Sequence, residues 1–476
     1  MPATNPTMLQ YFHWDYPADG SLWQEVAANA QGLAATGFTA LWLPPPTKAF
    51  EAANPGYAIY DLWDLGEFDQ KGSVRTKYGT RAQLEAAIAT AHAAGLELYL
   101  DVVFNHKAGA DATERVWAVP VDHDNRNIET GPAREIEAWT RFDFPGRGGQ
   151  YSTMQWSAQH FDSVDYDNIT RVVGTIYRLR EKQFETVISP DMGNYDFLMF
   201  ADVDSSVEAV REEFRRWSEW MVETIGFDGF RIDAAKHIRA SLFNDWLDAL
   251  RARFPDRTLY TVGEYFDEEL DELRSYLDAT DNRMSLFDFP LYFNFLSASE
   301  SSGNFNMRNF LSNSLSMDRP DQAATFVDNH DTFREETVQE WFRPLCYATI
   351  LLRQQGYPCV FYADYFPPPG RGGHRVILDR LLAVRRDHAY GEQRDYFDHE
   401  NLVGWTRLGD ADHPRAIAVI MSDGPGGTKP MFVARSGATF RDATGAIGDV
   451  VTTGADGNGL FRCDGGSVSV WVEVPN

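Results

Sequence analysis

Residues 207–233 read VEAVREEFRRWSEWMVETIGFDGFRID, and this stretch carries the argument for the fold. From Val207 to Ile225 the apolar residues recur every three or four positions, as in a helix buried along one side. Phe227–Ile232 then reads as a short buried strand, and it ends on an acid, Asp233. Working outward, similar apolar runs stand at Met8–Phe12, Phe38–Leu43, Leu96–Phe104, Leu259–Val262, Met284–Phe287, Ala324–Val327 and Cys359–Tyr362, with a second clear amphipathic helix over Thr80–Ala94. Strands alternating with helices predict βαβ units and a parallel sheet. Eight candidate strands make a closed (β/α)8 TIM barrel the leading α/β form, with an open doubly wound sheet as the alternative from pattern alone.

Two regions break the rhythm. Lys107 to Asp204 is polar and rich in Gly, Asp and aromatics, too long for a bare loop in a compact domain, so it reads as a subdomain inserted after strand 3. Beyond about Gln393 the pattern becomes short alternating strands with Gly-rich turns, such as Ala416–Met421 and Ser467–Val474, which predicts a C-terminal antiparallel β domain, a β-sandwich. The expected division is a barrel over 1–104 and 208–393, an insertion over 105–207 and a terminal domain over 394–476.

Composition narrows the function. The 476 residues carry 43 Lys+Arg and 70 Asp+Glu, a net charge of −27. Such a surface repels phosphate backbones and anionic lipid, which disfavours nucleic-acid and membrane partners but not a neutral substrate. Aromatic residues make up 14% of the chain, most of them expected in the core. Cys346, Cys359 and Cys463 are odd in number and lack CxxC spacing, against a disulfide framework or a thiolate metal site. No basic n-region or apolar h-region precedes Trp14, and no apolar run is long enough to span a bilayer, so a cytoplasmic location is expected. The GPGGTK turn at Gly424–Lys429 has the wrong spacing for a P-loop, and neither GxSxG nor a helix-opening GxGxxG occurs.

Acids stand just past three of the strands: Asp233 in Arg231-Ile-Asp-Ala-Ala-Lys236-His237, Glu264 in Val262-Gly-Glu-Tyr-Phe266, and Asp331 in Asp328-Asn-His330-Asp-Thr. A barrel brings all its C-terminal strand ends to one face, where such folds keep their chemistry. A lone strand-end acid is readily explained as a helix cap. Three together, flanked by Arg, His and Lys, suit glycoside hydrolysis, in which one carboxylate attacks the anomeric carbon and a protonated one serves the leaving oxygen, about 5–5.5 Å apart in a retaining enzyme. Arg231 lies two residues before Asp233 on the same strand face, where its charge favours the carboxylate form.

These segments, with Asp101-Val-Val-Phe-Asn105-His106, closely resemble the signature regions of the α-amylase family, glycoside hydrolase family 13. Met8-Leu-Gln-Tyr-Phe, Gly56-Tyr57, Tyr60-Asp-Leu-Trp-Asp-Leu-Gly-Glu-Phe-Asp-Gln-Lys-Gly and Lys77-Tyr-Gly-Thr extend the likeness to the bacterial liquefying subgroup and its cytoplasmic relatives. The resemblance implies that Asp233 is the nucleophile, Glu264 the general acid/base and Asp331 the residue gripping substrate hydroxyls. It implies that Arg231, His106 and His330 hold the sugar before the cleaved bond, that Tyr57 stacks beneath it, and that Lys236 and His237 contact the leaving side. Phe266 stands where the subgroup generally carries Trp, a departure that removes an indole N–H donor. The implied substrate is an α-glucan polysaccharide or maltooligosaccharide cut internally. An exo-acting or transglycosylating relative would share every catalytic residue, whereas a non-catalytic glucan-binding protein would ordinarily lack one of the acids. A monomer is expected.

Asn194-Tyr-Asp196-Phe-Leu-Met-Phe-Ala-Asp202-Val-Asp204 concentrates oxygen donors of the kind Ca2+ requires. The resemblance implies ligands from Asn105, Asp196, Asp202 and the carbonyl of His237. Asp165 and Glu185, with Asp204 nearby in the acidic run, are candidates for a further metal.

Overall fold

A computed structural model of the chain describes residues 5–475; the outermost ends of the expected first and last domains lie outside them. Eight parallel strands close into a barrel: β1 (Met8–Gln10), β2 (Ala40–Leu43), β3 (Glu97–Val102), β4 (Gly229–Ile232), β5 (Tyr260–Gly263), β6 (Ser285–Phe287), β7 (Ala323–Phe326) and β8 (Tyr357–Phe361). Each pairs with its sequence neighbours, and β8 pairs with β1 through Met8↔Cys359. The ring is therefore closed rather than doubly wound. Its strands are buried almost throughout, as expected where helices cover a parallel sheet, which is why they read as short unbroken apolar runs.

Helix α1 (Leu22–Thr36) is followed by α2 (Arg81–Ala93), which begins with a capping box in which Thr80 and Gln83 satisfy each other's backbone N–H groups. Helix α3 (Glu208–Trp220) buries Val210, Phe214 and Trp217 on one stripe. It does not run as a regular helix to Ile225. Its last turn, Met221–Ile225, widens to a π-turn and stops at Gly226, whose φ of 103° suits glycine.

Between β3 and β4 the chain leaves the barrel to build a six-stranded sheet in the order His106–Lys107, Ala201–Val203, Phe161–Tyr166, Val173–Leu179, Ala112–Val121, Arg134–Arg141, every pair antiparallel. Its first and last segments to form, His106–Lys107 and Ala201–Val203, lie side by side through Asp202↔His106. After the barrel, a six-stranded antiparallel sheet from Gln393 to Glu473 faces a two-stranded one, Gly427–Phe432 with Asn458–Cys463. Met431, Phe440, Phe461 and Trp471 fill the space between them. The opposite face of the larger sheet joins the barrel core through Trp405, Val419 and Val470.

Candidate active site

The C-terminal ends of the barrel strands, together with the inserted sheet, enclose a cavity of about 540 Å³. Asp233, Glu264 and Asp331 all line it, as do Tyr57, His106, Lys236, His237 and His330. The residues that the sequence scatters over the chain thus meet in one cleft.

Arg231 is the centre of the arrangement. Its Nη1 donates to Asp233 Oδ1 at 2.7 Å and to Asp101 Oδ1 at 2.8 Å, while Nη2 lies 2.9 Å from Glu264 Oε2. Asp101 is a hub that motif reading quoted without giving it a task. Besides Arg231 it accepts from Trp42 Nε1 at 2.9 Å and from the Tyr57 hydroxyl at 2.8 Å. One buried carboxylate therefore fixes the guanidinium and the tyrosine together. At Ala234 the backbone takes a left-handed turn, φ 50° and ψ 37°, which costs a non-glycine residue about 1 kcal/mol. That turn points the Ala234 N–H at Glu264 Oε2, 3.1 Å away.

A single guanidinium cannot neutralise this many carboxylates. Burial raises the Asp101 carboxyl to about 7 despite Arg231. Burial also raises Asp233 and Glu264 above the usual carboxylate range, with Arg231 opposing in both cases. So Arg231 restrains the rise at Asp233 without reversing it, contrary to the simple expectation from their pairing. Asp331 adds repulsion at Asp233, whereas both Asp233 and Asp331 repel charge at Glu264, which makes Glu264 the natural holder of a proton. The Asp331 carboxylate is 44% exposed and opens onto the cleft.

The neighbouring imidazoles are neutral. Burial lowers His106 to about 4 and both His237 and His330 to about 3. The ring of His106 hydrogen-bonds the Tyr57 carbonyl at 2.8 Å, and His330 Nδ1 meets Gln10 Nε2 at 3.0 Å, leaving Nε2 3.4 Å from Asp331. Tyr57 is stacked on His330, and Trp14 lies parallel to Tyr57 with centroids 5.6 Å apart. Trp14 belongs to the cavity wall too, a residue that carries no motif of its own. Lys236 is heavily engaged: burial alone would lower its ammonium, but contacts with Asp191 at 2.6 Å and Asp267 at 2.8 Å outweigh that and raise it. His237 Nδ1 is held by the Tyr195 carbonyl at 2.6 Å, tying the barrel to the insertion.

A second pocket of about 350 Å³ adjoins the cleft and shares Phe200 with it. Trp139, 42% exposed, lines it with Tyr166 and Asp165.

Among the described residues, one group of carboxylates could hold a metal: Asp162, Asp196 and Asp202, all buried, with ligand atoms within 4.8 Å of one another. Burial and mutual repulsion push all three well above the usual range, and Asp162 Oδ2 has no hydrogen-bond partner. Such a set fits a hard cation with oxygen ligands. Asn105 lies alongside, its amide 2.9 Å from Asp202 Oδ1. Asp162 was not anticipated, and Asp165 is not in the group: its carboxylate accepts the Phe200 N–H and faces the second pocket. Glu185 is close enough to raise all three acids, but its own oxygens are taken by Ser205 and the Arg239 N–H. Asp204 is paired with Lys182 at 2.6 Å.

Comparison with known proteins agrees with this geometry. The catalytic-domain model of the α-amylase family matches residues 21–125 and 194–366, more than half the chain. An α-amylase of Geobacillus stearothermophilus is 49% identical over 98% of this chain and 87% of its own length. A glucan 1,4-α-maltohexaosidase of Bacillus sp. (strain 707) is 47% identical over 99% and 93%. The cytoplasmic α-amylase of Escherichia coli (strain K12) is 38% identical over 98% and 99%. Among solved structures, an α-amylase of Geobacillus thermoleovorans complexed with acarbose superposes with a TM-score of 0.65 at 15% identity, over 99% of this chain and 98% of that one, a likeness of fold.

Proposed function

The chain belongs to the α-amylase family of glycoside hydrolases, and from that premise we propose that its cleft hydrolyses internal α-1,4-glucosidic bonds of starch, glycogen and maltooligosaccharides with retention at the anomeric carbon. The observation that carries the reading is Asp233 and Glu264 gripping one guanidinium at the wall of one cavity.

In this reading Glu264 delivers its proton to the departing glycosidic oxygen while Asp233 attacks the anomeric carbon, forming a covalent glycosyl ester. Glu264, now a carboxylate, takes a proton from water, which attacks the same carbon and frees Asp233. Asp331 grips sugar hydroxyls in the intervening oxocarbenium-like transition states. Neutral His106 and His330, with Arg231, offer hydrogen bonds to hydroxyls, and Tyr57 with Trp14 presents aromatic surface to the apolar face of the ring. Lys236 and His237 shape the leaving side. NMR of the first products tests the double displacement: the α-anomer should appear first, and an initial β-anomer would refute it. Asp233→Asn should lower turnover by roughly 10⁴-fold or more, read as release of reducing ends.

A second reading, release of products of one length, draws support from the adjoining pocket beside Trp139 and from the maltohexaosidase relative. Timed products from long amylose separate the two, because internal cutting gives a mixture from the outset.

For the metal we propose calcium held by Asp162, Asp196 and Asp202, with Asn105 and the His237 carbonyl completing the shell. When bound it supplies charge and rigidity where insertion meets barrel, and takes no part in bond cleavage. We take the chain as three units divided at 104/105, 207/208 and 393/394. No helix among the described residues is long and apolar enough to cross a membrane. The cytoplasmic relative supports a cytoplasmic location for action on α-glucan, and we take the chain to act as a monomer.

A further inference from the structure

Phe266 is a large ring left 41% exposed at the mouth of the cleft, two residues after Glu264. It does not end an aromatic surface but begins one. It packs on Phe289 at 4.4 Å and edge-on against Phe293 at 6.0 Å. Phe293 in turn lines a depression of about 380 Å³ on the outside of the barrel. A further depression of about 440 Å³, bounded by Phe305, shares Asn294, Ser312 and Asn313 with it. The two form one trough, and the trough starts where the cleft stops.

We propose that this trough binds the α-glucan chain on the leaving-group side after it has passed Phe266, extending the grip on long substrates beyond the cleft; the proposal rests on the glycosidase reading given above. Its chemistry suits an uncharged polyol. Asn294, Asn306, Asn309 and Asn313 offer both donors and acceptors, Glu268 and Asp271 accept from hydroxyls, and the half-buried rings of Phe293 and Phe305 offer surface to sugar C–H groups. Arg274, the cation in its lining, is already paired with Asp271 and Asp318, so the acids on the rim and a net charge of −27 work against any anionic occupant. The leaving side is the correct end, because Lys236, which the glycosidase reading places there, donates to the Phe266 carbonyl at 3.1 Å.

The test is the double variant Asn294→Ala/Asn309→Ala, assayed on a short substrate, maltopentaose, and on long amylose. The loss of two sites of hydrogen bonding should cut kcat/KM on amylose by about fivefold or more, while maltopentaose changes by less than about twofold. In a native gel containing amylose, inactive Asp233→Asn should be retarded, and less so when the double variant is added. Asn294 also donates to the Ser312 carbonyl at 2.8 Å, so Asn309→Ala alone is the control for local disturbance and should shift both readouts in the same direction. Equal changes on the two substrates, or none on either, would overturn the trough. Failure of the unmodified protein to cleave maltopentaose would instead overturn the glycosidase reading.

Discussion

Asp101 never touches the cleft surface, yet Trp42, Arg231 and the cleft-lining Tyr57 all hang on it. Asp101→Asn keeps the shape and removes the charge, so Arg231 loses one of its fixed partners and can turn away from Asp233. Because a displacement of about 1 Å at a reacting group costs roughly 10²-fold, kcat/KM on maltopentaose should fall by about that factor while the fold stays intact by circular dichroism. Activity within about twofold of the parent would reduce Asp101 to packing. The residue scale also shows where sequence reading succeeds and where it stops. Asp233, Glu264 and Asp331 were legible because each follows an apolar strand and the barrel dictates where strand ends meet. Asp162 was not, whereas Asp165 was legible only as a candidate for a further metal. The two lie three residues apart on the strand Phe161–Tyr166. An odd spacing sends them to opposite faces, one toward Asp202 and the other toward Phe200. Trp14 escaped because a single aromatic in a loop looks the same whether it packs a core or faces a substrate.

At the scale of elements, loops and strands set what the catalytic groups can reach. Gly56 has a φ of 108°, and a Cβ there would come 2.7 Å from the Pro45 carbonyl oxygen. Gly56→Ala must displace the loop that carries Tyr57, raising KM several-fold and costing roughly 1–2 kcal/mol of stability by thermal melt. An unchanged KM would mean that the loop's position is immaterial to binding. Trp139 sits on the strand Arg134–Arg141, where Ile136, Ala138 and Thr140 face inward and Trp139 faces the second pocket. Trp139→Ala should shorten the longest early products from amylose while leaving maltotriose release unaltered; an identical product ladder would exclude that pocket from substrate binding. The same strand explains why the insertion was read only as a break in rhythm. Its alternation is present, but much of the sheet is half-exposed and polar, so no apolar run marks the strands. Barrel strands, buried on both sides, carry that mark plainly. Helix α3 was legible as a helix, while its closing π-turn has no periodic signature.

At the scale of the molecule, the buried acids Asp162, Asp196 and Asp202 couple stability to pH, and the calcium proposed above would act on the same groups. Their folded carboxyls lie above the usual value of about 4. Without a cation, the native state therefore holds protons that the unfolded chain has released, and stability falls as pH rises through that range. The proposed calcium would bind the ionised form and reverse the slope. In excess chelator Tm should drop as pH rises above the ordinary carboxylate range, and in millimolar calcium it should hold or rise. Parallel curves in the two conditions would place the ion elsewhere. The side-by-side pairing of His106–Lys107 with Ala201–Val203 has a different consequence. An excursion of nearly a hundred residues leaves and re-enters the barrel through adjacent, mutually hydrogen-bonded doorposts, and it is clamped to the host ring again where Lys236 meets Asp191 and His237 meets the Tyr195 carbonyl. Such an architecture lets the far strands of the excursion lengthen or shorten without moving the doorway, whereas exchange of the whole excursion would also strip Lys236 and His237 of their partners.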